Sequence, residues 1–241
     1  HKEDQEVTSA GEEVLLNNRG GGIALFTTTR LVYSGPNHEL NERFYEVVFE
    51  KDSNGESYRT GDIILYSKNH TGSGINKRNF TLLGDPSMKL VYPRQQVVTD
   101  SINGLDINMA EDTLSAFQWV TVSGHLETQA GSVLENFNGT VYPQVFDKEK
   151  RVETLQNDGQ TPWSFLTRNN ILYSGKASVS NGRFSFGFYV PKDINYAFGS
   201  GKISYYSNND QLDAHGSYEG FHVGGIGSEN ASDSEPPVID L

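Results

Sequence analysis

The sequence predicts an α/β segment followed by an all-β module. Three observations predict it. A small-and-apolar run, GGGIALF at 20–26, is set among helix signals; the pattern changes near Gln95 to aromatic and β-branched runs; and an Asn-Gly dipeptide at 181–182 separates two alternating stretches.

The first element is a short helix. Ser9-Ala10-Gly11-Glu12 has the S-x-x-E spacing of a capping box, Val14, Leu15 and Leu16 supply an apolar face, and Gly20 stands where a C-cap glycine is expected. The unbroken run over 21–26 then suits a strand buried on both faces, as in a parallel sheet covered by helices, and Thr27-Thr28-Thr29 marks its carboxyl end. After the turn signal Ser34-Gly35-Pro36-Asn37, Leu40, Phe44, Val47 and Val48 fall at i, i+4, i+7 and i+8. That spacing predicts an amphipathic helix capped by Asn37 and ended near Gly55. Over 60–68 periodicity does not separate strand from helix, but Asp62 near the start and Lys68 near the end match a helix dipole and favour helix. One buried strand among three helices needs sheet neighbours that this segment hardly supplies.

From about Gln95 the runs over 117–122, 139–146 and 170–179 read as strands. Asn181-Gly182 predicts a two-residue type I′ hairpin, because both central residues need φ > 0. Beyond it Phe184, Phe186, Phe188 and Val190 alternate onto one face, with Ser185, Gly187 and Tyr189 on the other. Further strands are expected over 202–207 and 220–223. About seven short strands in roughly 130 residues make a β-sandwich the expected architecture. The stretch 227–240 is polar and carries Pro236-Pro237, a linker composition, and Val238 to Leu241 is expected to begin a further module. The expected domains are therefore 1–93, 94–227 and a linker with the start of another module over 228–241.

Composition removes several function classes. With 19 Lys+Arg against 31 Asp+Glu the formal charge is −12, so there is no basic stripe for nucleic acid. The chain has no cysteine, which removes a disulfide framework, a thiolate metal site and a thiol nucleophile within it. No apolar run approaches the ~20 residues of a membrane-spanning helix. The sequence opens at His1 inside a charged stretch and is expected to be part of something longer.

Two dense motifs carry a resemblance: GGGIALFTTTRLVY over 20–33 and NFTLLGDPSMKLVYP over 79–93. With Ser9-Ala10-Gly11-Glu12 before them, and Asn37, Leu40-Asn41 and Phe44 between them, they form four blocks in order. The stretch from Thr8 to Pro93 is similar to the C-terminal part of gingipain-like cysteine peptidase domains, most closely those of the type IX secretion sortases. The resemblance implies a caspase-like α/β fold followed by an immunoglobulin-like β-sandwich. It implies a Cys nucleophile and a His base placed before the residues seen here, so no residue of this chain is assigned as catalytic, and His1 lies after the expected Cys position. It places Thr27, Thr28, Thr29, Arg30 and Tyr33 in the wall of a substrate pocket, with Tyr33 at an aromatic position. The carboxyl end of a parallel strand is also where α/β proteins commonly bind ligands.

Other candidates have plainer readings. Gly84-Asp85-Pro86 reads as a turn before it reads as a ligand site. Asp210, Asp213 and His215 match no metal-ligand spacing and are expected in a solvated hairpin loop, while His125 and His222 fall within expected strands. No P-loop, no nucleophile elbow and no serine triad can be assembled. No metal and no cofactor are expected.

The sequence thus reads as an internal fragment of a gingipain-like cysteine endopeptidase, inactive by itself. The resemblance implies a parent that cleaves C-terminal secretion signals and attaches cargo to the extracellular face of the outer membrane of a Gram-negative bacterium. Its implied partners are the C-terminal regions of secreted cargo and other secretion-system components. The alternative is a non-catalytic cell-surface module whose β-sandwich binds a protein or glycan, with Trp119, Trp163 and Tyr205-Tyr206 as candidate stacking residues, though core or edge positions are the plainer reading of these aromatics.

Overall fold

The structure, a computed structural model, describes residues 9–72, 74–109, 112–157 and 159–227. The expected linker with Pro236-Pro237 and the strand over 238–241 lie outside the described residues. Contacts divide the chain into two units, His1–Tyr92 and Pro93–Leu241.

The first unit contains α1 (Ala10–Leu16), β1 (Leu25–Thr28), α2 (Ser34–Val47), α3 (Thr60–His70), a 3-10 turn at Asn76–Asn79 and β2 (Phe80–Leu83). The capping box forms as its spacing requires: Ser9 N–H donates to Glu12 Oε2 at 2.8 Å and Glu12 N–H donates to Ser9 Oγ at 3.3 Å. The hydrogen bonds from the Ser9 backbone and hydroxyl hold the Glu12 carboxyl below its usual range. Gly20 is not the cap; Asn17 is, in an extended conformation. The chain beyond the helix instead turns back on it, with Gly22 N–H donating to Val14 O at 3.2 Å. A Cβ on Gly21, whose φ is +155°, would overlap that same carbonyl oxygen. Gly21→Ala is therefore expected to destabilise this unit by about 1–2 kcal/mol. Faster amide exchange in α1 and β1 would register it, and unchanged exchange would contradict it.

β1 differs from expectation. It starts at Leu25 rather than at Gly21, its four residues are half-buried, and it pairs antiparallel with β2 in the register Leu25↔Leu83 through Thr28↔Phe80. The glycines before it serve the return from α1, so only the later part of the apolar run is strand. Phe26 packs on Phe80 and on Phe44 of α2, with ring centroids 5.5 and 6.3 Å apart.

α2 starts at Ser34 with Tyr33 as its N-cap, so Asn37 lies inside the first turn and donates its own N–H to Tyr33 O. Pro36 is tolerated there because first-turn N–H groups have no intrahelical acceptor. The helix ends at Val47, short of Gly55, because Asp52 Oδ1 accepts the N–H groups of Asn54 and Glu56 and folds 52–56 into its own turn. Leu40, Val47, Val48 and Ile63 are buried, with Phe44, Tyr58, Tyr66 and Leu90 around the last three. α3 is a helix, as its end charges favour, and Gly84-Asp85-Pro86 is structural. Thr60 Oγ1 donates to Asp85 O at 2.8 Å and Gly61 N–H to Pro86 O at 2.9 Å, which satisfies the start of α3. The Asp85 carboxylate is engaged by the Ser87 hydroxyl and N–H at 2.7 and 2.8 Å, and these bonds lower its pKa.

The second unit is β throughout: β3 (Gln95–Ile102), β4 (Leu105–Asp106), β5 (Asp112–Ala116), β6 (Trp119–Glu127), β7 (Gly139–Phe146), β8 (Lys150–Glu153), β9 (Ser164–Thr167), β10 (Ile171–Ser174), β11 (Ala177–Ser180), β12 (Arg183–Tyr189), β13 (Gly199–Ser200), β14 (Lys202–Asn208), β15 (Asp213–Tyr218) and β16 (Phe221–Ile226). The expected β-sandwich is met as a sandwich or barrel whose main sheet closes on itself. The ladder runs β7-β11-β12-β6-β3-β15-β14 and returns to β7, a closed circuit in which only β15 and β3 are parallel. β10 continues along the β7 edge that β11 uses, so the single strand expected over 170–179 is broken in two at Gly175. β13, β16 and β5 make a smaller sheet, and β8 and β9 a separate hairpin.

Alternation is clean on β12. Phe184, Phe186 and Phe188 are buried and their rings run in series, while Ser185 and Tyr189 are exposed. The Asn-Gly turn is type I′, with φ of +50° at Asn181 and +72° at Gly182. The strand expected from Phe117 begins at Trp119, since Phe117 has φ +67° and turns the chain between β5 and β6. Tyr205 is buried with its hydroxyl 2.8 Å from Thr99 Oγ1, and burial raises its pKa; Tyr206 is exposed and stacks on Tyr142.

Candidate substrate-pocket segment

The five residues expected in a pocket wall lie on one continuous piece of the first unit. Thr27 and Thr28 end β1 and are half-buried, whereas Thr29, Arg30 and Tyr33 are exposed on the segment leading into α2. The ladder to β2 stops at Thr28, so other bonds must hold the residues beyond it. They come from the Asn76–Asn79 turn. Thr29 N–H and its hydroxyl both donate to Asn79 O, at 2.8 and 3.0 Å. Asn79 Nδ2 donates to Leu31 O at 3.3 Å, and Tyr33 N–H donates to Asn76 Oδ1 at 2.7 Å.

These bonds fasten residues 29, 31 and 33 by their backbones and leave the side chains outside. Tyr33 is 77% exposed and Leu31 98%. Leu31 and Asn79 lie inside the two motifs but sequence reasoning gives them no role in the pocket wall, and Asn76 lies outside both. Nothing local marks these bonds, because they span 43 to 50 positions. Such an arrangement offers a ligand an aliphatic, an aromatic and a cationic side chain on a held backbone, and it contains no nucleophile or base. A cavity of about 460 Å³ in the same unit is a different place: it is lined by Val47, Tyr58, Leu65 and Tyr66, with Glu46 and Asp62, along α2 and α3.

The remaining candidates are structural. Asp213 and His215 lie in strand β15 rather than in a loop, where Asn209 Oδ1 caps the preceding turn by accepting from Gln211 and Leu212 N–H. His125 bonds Asp100 Oδ1 at 2.7 Å and approaches Glu127 Oε2 at 3.4 Å on β6. Among the described residues, no group of three or more His, Asp or Glu side chains is placed to hold a metal ion, and no helix is long and apolar enough to cross a membrane.

The first unit, with its four ordered motif blocks and a held loop after β1, resembles the C-terminal part of a cysteine peptidase domain. Residues 2–91 match the family model of Peptidase family C25, the gingipain family. Over both units the chain resembles the crystal structure of dimeric latent PorU from Porphyromonas gingivalis. The identity is 30% and the TM-score 0.54, over 90% of this chain and 21% of that one. The chain thus spans about a fifth of the length of that solved relative. Spo0M, a sporulation control protein from Bacillus subtilis, is similar at 12% identity over 55% of this chain and 50% of that one, with a TM-score of 0.33, too low to bear on the fold. No curated protein matches the chain in sequence.

Proposed function

We propose that the chain is an internal segment of a gingipain-like cysteine endopeptidase, of the kind that serves as a type IX secretion sortase. In this reading residues 1–93 supply the later part of a caspase-like α/β domain, and residues 94–227 the β domain that comes after it in the immunoglobulin-like position. The parent cleaves C-terminal secretion signals from exported proteins and attaches the cargo to the cell surface, at the extracellular face of the outer membrane of a Gram-negative bacterium. The observation that carries the reading is the family match over residues 2–91, continued into the second unit by the 30% identity to PorU.

By itself the segment is inactive. An acyl-enzyme requires a thiolate held by a base, and this chain has no cysteine to provide one. The purified chain is expected to cleave no peptide, whereas the product of the longer coding region, if it carries a Cys and a His-Gly pair upstream of His1, is expected to cleave and to lose cleavage on Cys→Ala. Thiol-type cleavage by the purified chain would refute the first expectation. A longer product that carries these residues and does not cleave would refute the second, and an upstream region without them would leave a surface-binding module as the better account.

A further inference from the structure

We propose that Asn76 is a positioning residue for substrate recognition, holding the 29–33 segment so that Arg30, Leu31 and Tyr33 face outward. The proposal rests on the peptidase reading above and takes as its ligand class an extended peptide with an apolar side chain laid against Leu31 and Tyr33.

Two observations support it. The segment has lost its strand partner at Thr28, yet every second backbone position is tied to one turn; the tie nearest α2 is the 2.7 Å bond from Tyr33 N–H to Asn76 Oδ1. Asn76 is also only 6% exposed, and its Nδ2 makes no hydrogen bond among the described residues. A buried donor left unpaired is unfavourable, so packing alone would prefer an apolar side chain at this position. What an apolar side chain lacks is the acceptor for Tyr33. The carboxamide is thus explained by the loop it fastens. Because Asn76 is buried beneath that loop, it acts through the loop rather than on the peptide.

A held loop shows itself in binding more than in chemistry. Removing the tie lets the wall sample conformations that do not fit the peptide, which lowers affinity without moving the reacting atoms. In this chain Asn76→Ala is expected to speed amide exchange at Tyr33 at least tenfold while α3 stays protected, and Asn76→Asp, which keeps the accepting oxygen, is expected to restore protection. In the longer, cysteine-bearing protein the same Ala variant is expected to raise KM about tenfold for peptides with an apolar side chain, with kcat within twofold, and Asn76→Asp to bring KM back. Asn79→Ala removes only the bond to the Leu31 carbonyl. It should act in the same direction more weakly, and it carries the test if Asn76→Ala fails to fold. Unchanged exchange overturns the positioning role and leaves the pocket reading standing. Faster exchange with unchanged KM overturns both the recognition role and the reading of Thr27 to Tyr33 as a pocket wall.

Discussion

Gly182→Val is expected to lower the stability of the second unit by about 3–5 kcal/mol. Two effects add. Gly182 has φ +72°, where a β-branched side chain is strained by roughly 1–2 kcal/mol. The new side chain would also overlap the Leu134 carbonyl oxygen, and a backbone atom has no rotamer by which to move aside. Nor can the turn retreat cheaply. Gly182 N–H donates to Phe137 O at 2.8 Å and Leu126 N–H donates to Gly182 O at 2.7 Å, so the hairpin tip is bonded on both sides. Both tryptophans of the chain, Trp119 and Trp163, lie in the second unit, so their fluorescence in a urea titration reports on this unit alone. Asn181→Gly, at φ +50° and keeping its N–H to Asn138 Oδ1, should shift stability by less than about 1 kcal/mol. An unmoved midpoint for Gly182→Val would mean that the 134–137 segment does not press on the turn.

Phe186→Ala should cost the same unit about 3–5 kcal/mol. Phe186 is the middle ring of a buried series: Phe184 lies 6.4 Å away, Phe188 6.2 Å and Tyr173 5.5 Å between centroids. Truncation removes the apolar surface of one ring and the edge or face contacts of three others, each aromatic pair being worth about 0.5–1.5 kcal/mol beyond its area. Tyr189→Ala is the comparison on the opposite face of the same strand. There the ring is exposed and, among the described residues, Trp119 is its one aromatic contact, so a loss below about 1.5 kcal/mol is expected. Equal losses at the two positions would contradict the burial alternation along β12.

The features legible in the sequence are those that a few neighbouring residues decide. The Ser9–Glu12 capping box, the type I′ turn at Asn181-Gly182 and the alternation after it each depend on spacing within a handful of positions, and each is present. The illegible ones depend on partners distant in the chain. Phe80–Leu83 has no alternation of its own and becomes a strand because β1 lies beside it. The end of α2 falls short of Gly55 because Asp52 competes for nearby N–H groups that a periodicity count ignores. Closure of the second unit's ladder rests on the parallel pairing of β15 with β3, which no local signal encodes. The candidate pocket segment divides in the same way. Thr27 to Tyr33 lie in one motif and Asn79 opens the other, but neither motif shows that Asn79 holds the segment, and Asn76 lies outside both.

The circuit of the second unit also bears on the order in which the chain can fold. β3 is the first strand made and β15 is among the last, yet Gln95 must meet Ala214 before the ring is complete. During synthesis β3 and β6 can pair early and β12 can join them through its hairpin with β11, but the free edge of β3 must wait for nearly the whole unit to leave the ribosome. Contacts this far apart close slowly, and the waiting edge is a template for unwanted pairing. Production that stops short of Tyr218 should therefore give aggregation-prone material rather than a smaller stable barrel.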